Sequence, residues 1–156
     1  DSKDILDGRG DDDTIYGEAG DDTITGGTGA DDLYGEAGDD LFNGTVAFTG
    51  DEIDGGDENA NGDSVDYSQL TGLTNGVTVT LTGSTTAAVT VDGVDDDHHI
   101  VDIENIYGTN FADNITGDTK DNTLLGNDGI DNISGGAGAD FIAGGTEADV
   151  LEGNAG

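Results

Sequence analysis

Large apolar residues recur along the chain at a fixed interval. Leu6, Ile15, Ile24, Leu33 and Phe42 stand nine residues apart, and so do Ile106, Ile115, Leu124, Ile133, Ile142 and Leu151. A period of nine is neither that of a helix nor the alternation of a simple strand. Each unit divides into a glycine-rich turn of six residues and about three residues of β character, such as "TIY", "TIT" and "DLY". One apolar side chain per unit points inward and its two neighbours point out. A single unit cannot bury that side chain, so the units must stack. Two units make one coil of 18 residues, with a short strand on each side and a turn at each end. The expected fold is all-β, a thin parallel β-roll whose core is one side chain wide.

Polar positions keep the same register. Two residues before each apolar position stand Asp4, Asp13, Asp22, Asp31 and Asp40, and later Glu104, Asp113, Asn122, Asp131, Asp140 and Asp149. The units open on Gly8, Gly17, Gly26, Gly35 and Gly44, then on Gly108, Gly117, Gly126, Gly135, Gly144 and Gly153. Residues 64–105 break this register. There "GVTVTLTG" (76–83) alternates Val77, Val79 and Leu81 with threonines, the pattern of a half-buried strand, and "AAVTVDG" (87–93) follows closely enough for a hairpin. The organisation expected is an N-terminal roll over 1–63, a wider β segment over 64–105 that joins and caps, and a C-terminal roll over 106–156.

Charge changes the picture. The chain carries 36 acidic against 3 basic residues, a formal net charge of −33 over 156 residues, with 29 glycines and no proline or cysteine. Low hydrophobicity with such a charge is normally the mark of disorder, yet the apolar register is strict. Like charges repel, and a core one residue wide does not offset them. Nucleic acid and anionic membranes are repelled too, no stretch is apolar enough to insert in a membrane, and cations are the partners that remain. Turns such as "GEAGDD", "GGTGAD" and "GGAGAD" present backbone carbonyls and a terminal aspartate, and turns 18 residues apart stack into cages of oxygen. Six to eight oxygens at about 2.3–2.6 Å describe Ca²⁺, whereas Mg²⁺ demands a tighter octahedron. Zinc and copper would require His or Cys, which these turns lack.

The units resemble the repeats-in-toxin (RTX) nonapeptide G-G-x-G-x-D-x-U-x, with U large and apolar. "GGTGADDLY" (26–34) and "GGAGADFIA" (135–143) match at every fixed position, and "GEAGDDTIT", "GEAGDDLFN" and "GNDGIDNIS" differ only at the second glycine. The resemblance implies several calcium ions. Each would lie between the second and fourth carbonyls and the aspartate of one turn and the first and third carbonyls and the aspartate of the next.

Carried onto this chain, the ligand turns are Gly8, Gly10 and Asp13; Gly17, Glu18, Ala19, Gly20 and Asp22; Gly26, Gly27, Thr28, Gly29 and Asp31; and Gly35, Glu36, Ala37, Gly38 and Asp40. In the C-terminal roll they are Gly108, Thr109, Asn110, Phe111 and Asp113; Gly126, Asn127, Asp128, Gly129 and Asp131; Gly135, Gly136, Ala137, Gly138 and Asp140; and Gly144, Thr146 and Asp149. Asp13 is expected to pair with Asp31, Asp22 with Asp40, Asp113 with Asp131, and Asp131 with Asp149. The turns 44–51 and 55–63 carry two and three extra residues and would close through Asp51 and Asp63. "GRGDDD" has an aspartate at the place of the fourth glycine, "GTNFAD" has Phe111 there, and "GDTKDN" has Lys120 there with Asn122 in place of the aspartate. The site between Asn122 and Asp140 is therefore expected to be weak or empty.

Other signals are bland. "DDDHHI" (95–100) lacks a third ligand or HExxH spacing and is expected to be an exposed loop. "RGD" at 9–11 lies inside a repeat turn, and the sequons "NGT", "NIT" and "NIS" are coincidental in repeats of this kind. No catalytic triad or Cys-His arrangement stands out, so no enzymatic activity is expected. The resemblance implies a structural module of a larger protein exported by a bacterium through type I secretion, at the cell surface or outside it. The chain, which begins at Asp1 and ends at Gly156 within a repeat, reads as a fragment. An alternative is a module whose middle segment binds a carbohydrate or cell-surface partner. A spacer acidic only for hydration is disfavoured, because solvation needs charge but no register.

Overall fold

The computed structural model describes residues 2–44, 49–57 and 60–156, apart from the Asp96 side chain. Residues 45–48 and 58–59 of the two lengthened turns lie outside the described residues. The first block forms β1 (Ile5–Gly10), β2 (Thr14–Tyr16), β3 (Thr23–Thr28), β4 (Asp32–Ala37), β5 (Leu41–Asn43), β6 (Glu52–Asp57) and β7 (Ser64–Asp66). The middle forms β8 (Val77–Thr80), β9 (Ala87–Val91) and β10 (Val94–Val101). The last block forms β11 (Asn105–Tyr107), β12 (Asn114–Thr116), β13 (Thr123–Asn127), β14 (Asn132–Ser134), β15 (Phe141–Gly145) and β16 (Val150–Glu152). There is no helix among the described residues.

Successive units alternate between two sheets, as a roll requires. One sheet, in the order β1-β3-β5-β7-β11-β13-β15, is parallel throughout. Its register stacks Leu6, Ile24, Phe42, Val65, Ile106, Leu124 and Ile142 in one column. The column runs unbroken past the middle segment, because Val65 stacks directly on Ile106. The facing sheet has the order β16-β14-β12-β8-β9-β10-β6-β4-β2. It takes up the extra residues as a meander, with β9 antiparallel to both β8 and β10 and the outer pairs parallel. The expected hairpin is thus present, and β10 extends it to three strands.

Most three-residue strands bury their middle residue most deeply, as in Asn132-Ile133-Ser134, and β7 and β11 bury Ser64 and Asn105 as well. Ile24, Leu33, Phe42, Ile53, Val65, Ile106, Ile115, Leu124 and Ile133 are all fully buried. End coils lack a neighbour on one side, so Leu6, Ile15 and Ile142 are only partly buried and Leu151 is 48% exposed. The core is widest in the middle, where Tyr67, Leu70, Val77, Val79, Leu81, Val89, Val91, Ile100 and Ile103 join the single file. Outward residues also stack by coil, as where the rings of Tyr16 and Tyr34 lie parallel with centroids 4.9 Å apart.

The reading of residues 95–100 as an exposed loop is corrected. They lie in β10, and His98 is fully buried. The cause is register: Ile100 pairs with Ile53, so His98 stands two residues before an inward position, where the repeat has its aspartate.

Candidate metal centre

The turns are held in register by their aspartates. Oδ1 of Asp22 accepts the Asp4 amide at 2.7 Å, Asp40 that of Asp22 at 2.7 Å, and Asp63 that of Asp40 at 2.7 Å. On the other edge Asp31 accepts from Asp13 and Asp51 from Asp31, each at 2.9 Å. In the last block Asp131 accepts from Asp113 at 2.9 Å, Asp149 from Asp131 at 3.0 Å, and Asp140 from Asn122 at 3.0 Å. The expected aspartate pairs are therefore neighbours, and both lengthened turns close onto the roll through Asp51 and Asp63.

The second carboxylate oxygen is different. Oδ2 of Asp13, Asp22, Asp31, Asp40, Asp131 and Asp140 is buried and accepts no hydrogen bond. Beside Oδ2 of Asp13, Asp22, Asp40 and Asp131 lies a carbonyl oxygen of the next coil. A Cβ placed on Gly8 would sit 2.6 Å from the Gly26 carbonyl oxygen and 2.7 Å from Asp13 Oδ2. One on Gly17 would sit 2.8 Å from both the Gly35 carbonyl oxygen and Asp22 Oδ2. The unit-opening glycine thus leaves the room in which a carboxylate and a carbonyl of the next coil converge. From the other side, the carbonyls of Arg9 and Asp11 point at Gly27 and Gly29. In most turns the second residue takes a left-handed conformation, with φ of 112° at Gly27 and 92° at Gly136, which is why the repeat favours glycine there. Glu18, Glu36 and Asn127 hold the same conformation at φ near 71°, 70° and 72°.

Adjacent turns are also joined directly. The Glu18 and Ala37 carbonyls accept the amides of Ala37 and Gly20 at 3.0 Å, and each keeps its second lone pair. Among the described residues no three His, Cys, Asp or Glu side chains converge on a point, so a metal here would take most of its ligands from the backbone. Burial raises the pKa of Asp40 and of Asp131, opposed in each by a backbone amide and reinforced by neighbouring carboxylates. A buried carboxylate oxygen that has no donor is unfavourable until a cation joins it. An all-oxygen set of mixed carbonyl and carboxylate character suits Ca²⁺. The residues present fit the ion.

A family comparison agrees. The model of the RTX calcium-binding nonapeptide repeat matches four copies, at residues 1–33, 16–45, 107–142 and 125–156. The chain belongs to the RTX calcium-binding repeat family. No curated protein matches it. RTX repeats bind Ca²⁺, several ions across successive repeats, and form a structural module typical of secreted bacterial proteins.

Not every candidate residue sits in an RTX gap of this kind. Asp113 takes more partners within the chain: Oδ1 accepts the Val77 amide at 2.7 Å and the Thr109 hydroxyl at 2.9 Å, and Oδ2, which meets the Gly126 carbonyl beside Gly108, accepts the Thr109 amide at 2.7 Å. Burial pushes its carboxyl up to about 6, against these hydrogen bonds. Turn 108–113 faces the middle segment on one side, where Asn110 donates to the Ser68 carbonyl, and Asn127 donates to the Gly108 carbonyl on the other. Asn122 turns its Oδ1 to the Asp118 amide at 3.0 Å. At the last turn Thr146 bonds the carboxylates of Asp128 and Glu147.

Three further features complete the edges of the roll. The fifth turn residues Asp12, Asp21, Asp39 and Asp121 form an outer row that accepts amides of the following coil, at 3.0, 3.2, 3.1 and 2.7 Å. The doubled "DD" was the signal for Asp12, Asp21 and Asp39, while Asp121 precedes Asn122. Glu104 accepts the Asp63 amide at 3.0 Å, in the place of the next aspartate. His98 occupies the same place on the facing edge, with Nδ1 3.2 Å from the Asp51 carbonyl oxygen and Nε2 2.9 Å from the Tyr67 hydroxyl. A carbonyl only accepts, so the proton rests on Nδ1 and the Tyr67 hydroxyl donates to Nε2.

Proposed function

We propose that this RTX module is a stiffening element of a larger exported bacterial protein, its repeat rolls unfolded without calcium and folded by it outside the cell. The reading rests on one observation above all, the buried Oδ2 atoms that face carbonyls and accept no hydrogen bond. Without a cation each such gap holds uncompensated negative charge, within a chain of net charge −33. With one, the same oxygens become ligands and adjacent coils are clamped. Metal that binds only the folded chain adds its binding free energy to stability. A cytoplasm poor in calcium would keep the repeat rolls extended for type I export, and the extracellular medium would fold them.

The ions would lie between turns paired through Asp13 and Asp31, Asp22 and Asp40, Asp31 and Asp51, Asp40 and Asp63, and Asp131 and Asp149. Residues 1–63 and 106–156 would form the two calcium rolls, and 64–105 the segment between. The gap between turns 117–122 and 135–140 would hold no calcium, because Asn122 offers an amide whose oxygen is already engaged. Equilibrium dialysis with melting curves tests the assignment. Several ions per chain should bind, with a melting temperature that climbs with calcium concentration. A melting temperature independent of calcium would reject the reading.

A further inference from the structure

The position two residues before each inward apolar residue carries the turn-to-turn contact on both edges of the roll. Along most of the chain it is an aspartate. In the middle it is Glu104 and Asn122 on one edge and His98 on the other, each in register with the aspartates of neighbouring coils.

These three residues meet their needs without a metal. Glu104, 4% exposed at its side chain, receives the Lys120 ammonium on Oε1 at 2.6 Å and the Asp63 amide on Oε2 at 3.0 Å. Lys120 is the fourth residue of its turn, where the RTX repeat has a glycine, so its ammonium reaches between coils to the buried carboxylate. Asn122 Nδ2 donates to the Glu104 carbonyl at 2.9 Å, and that carbonyl therefore has a donor as well. His98 is neutral and bonded at both ring nitrogens, and Asp113, which closes the meander side, accepts three hydrogen bonds from Val77 and Thr109. The same stretch holds the widest part of the core, including Tyr67, Val79, Val89 and Ile103.

We propose that residues 64–122 form a calcium-independent folding nucleus in which the Lys120 ammonium stands in for the ion between coils, and that the two rolls grow outward from it as calcium binds. The inference rests on the calcium-coupled reading above and adds where folding starts. In a stacked array, stability is the sum of unit and interface terms, and growth proceeds from the most stable unit. Here that unit is internal, with open strand edges in both directions: β6 and β7 lead into the first roll, β12 and β13 into the second.

Hydrogen–deuterium exchange of the full chain, read by mass spectrometry, separates the segments. In chelator, amides of residues 77–80, 87–91 and 98–101 should exchange about a hundredfold or more slower than coil, while residues 23–28, 32–37, 132–134 and 141–145 exchange as coil. Calcium should protect all of them. Coil-like exchange of the middle in chelator, with protection everywhere in calcium, would overturn the nucleus and leave the calcium-coupled reading standing. Protection of every segment in chelator would overturn both. Lys120→Met should raise exchange of residues 98–107 in chelator by about tenfold or more, because it strands a buried carboxylate. Adding Glu104→Gln to that variant removes the stranded charge and should restore most of the protection. An unchanged rate in Lys120→Met, or no recovery in the double variant, would remove Lys120 from the role assigned to it.

Discussion

The backbone amide of Asp13 donates to Oδ1 of Asp31 at 2.9 Å across one coil, while Oδ2 of the same Asp31 is buried and accepts nothing. One carboxylate thus sets the register of two turns and keeps its other oxygen buried without a donor. Register and metal binding are thereby linked in a single side chain, and the two can be separated by substitution.

Asp31→Ala should lower the number of bound calcium ions by at least one, counted by titration calorimetry. Asp31→Asn should lose a similar amount while keeping more stability, since the amide oxygen can still accept from Asp13. Asn122→Ala should leave the count unchanged and destabilise by about 1–3 kcal/mol, the cost of a buried carbonyl and amide left without partners. Equal calcium losses at positions 31 and 122 would mean that motif completeness does not set occupancy.

Ile133 offers no ligand, yet it stacks between Ile115 and Leu151 and is fully buried. Ile133→Asp would place an unpaired carboxylate in a core one residue wide, and it should abolish calcium binding between turns 126–131 and 144–149, which Asp131 and Asp149 join. The adjacent Asn132 is exposed, so Asn132→Asp should bind as the parent does. A binding midpoint and ion count in Ile133→Asp equal to the parent's would contradict the stacked-coil account.

Burial pushes the His98 imidazole down to about 4, against a favourable contact with the Asp51 carbonyl. Its folded value lies below the ordinary one near 6.5, so between these values the unfolded chain binds more protons and stability rises with pH. The contribution is present in full above about pH 6.5 and is lost as pH falls through the folded value. In saturating calcium the parent should lose up to about 3 kcal/mol relative to His98→Gln as pH drops from 6.5 to 4. Above pH 6.5 the two should run in parallel. Parallel denaturation curves over the whole range would show that His98 carries no such term.

Much of this was legible in the sequence, because the repeat couples position to role. Once Leu6 to Phe42 fix the nine-residue register, the burial of Leu33 and the meeting of Asp13 with Asp31 follow from an offset of 18 residues. Insertion hid the rest. Asp63 meets Glu104 across 41 residues, an offset no repeat announces, and Val65 stacks on Ile106 for the same reason. His98 did carry a signal, since it precedes Ile100 by the two residues that separate each aspartate from its apolar partner. The local "DDDHH" composition, polar enough for a loop, obscured it. Lys120 read as damage to a turn, and only the neighbouring coil reveals the carboxylate that it neutralises.

The central claim is that calcium supplies the stability this thin core lacks, and far-UV circular dichroism of the full chain with and without chelator tests it most directly. In excess chelator the spectrum should be mostly coil, with a residual β signal from the middle segment. Millimolar calcium should convert it cooperatively to β structure, with affinities of about 10⁻⁴–10⁻³ M as in extracellular modules. Magnesium at the same concentration should not. A chain with the same β spectrum and the same melting temperature in chelator as in calcium would contradict the account.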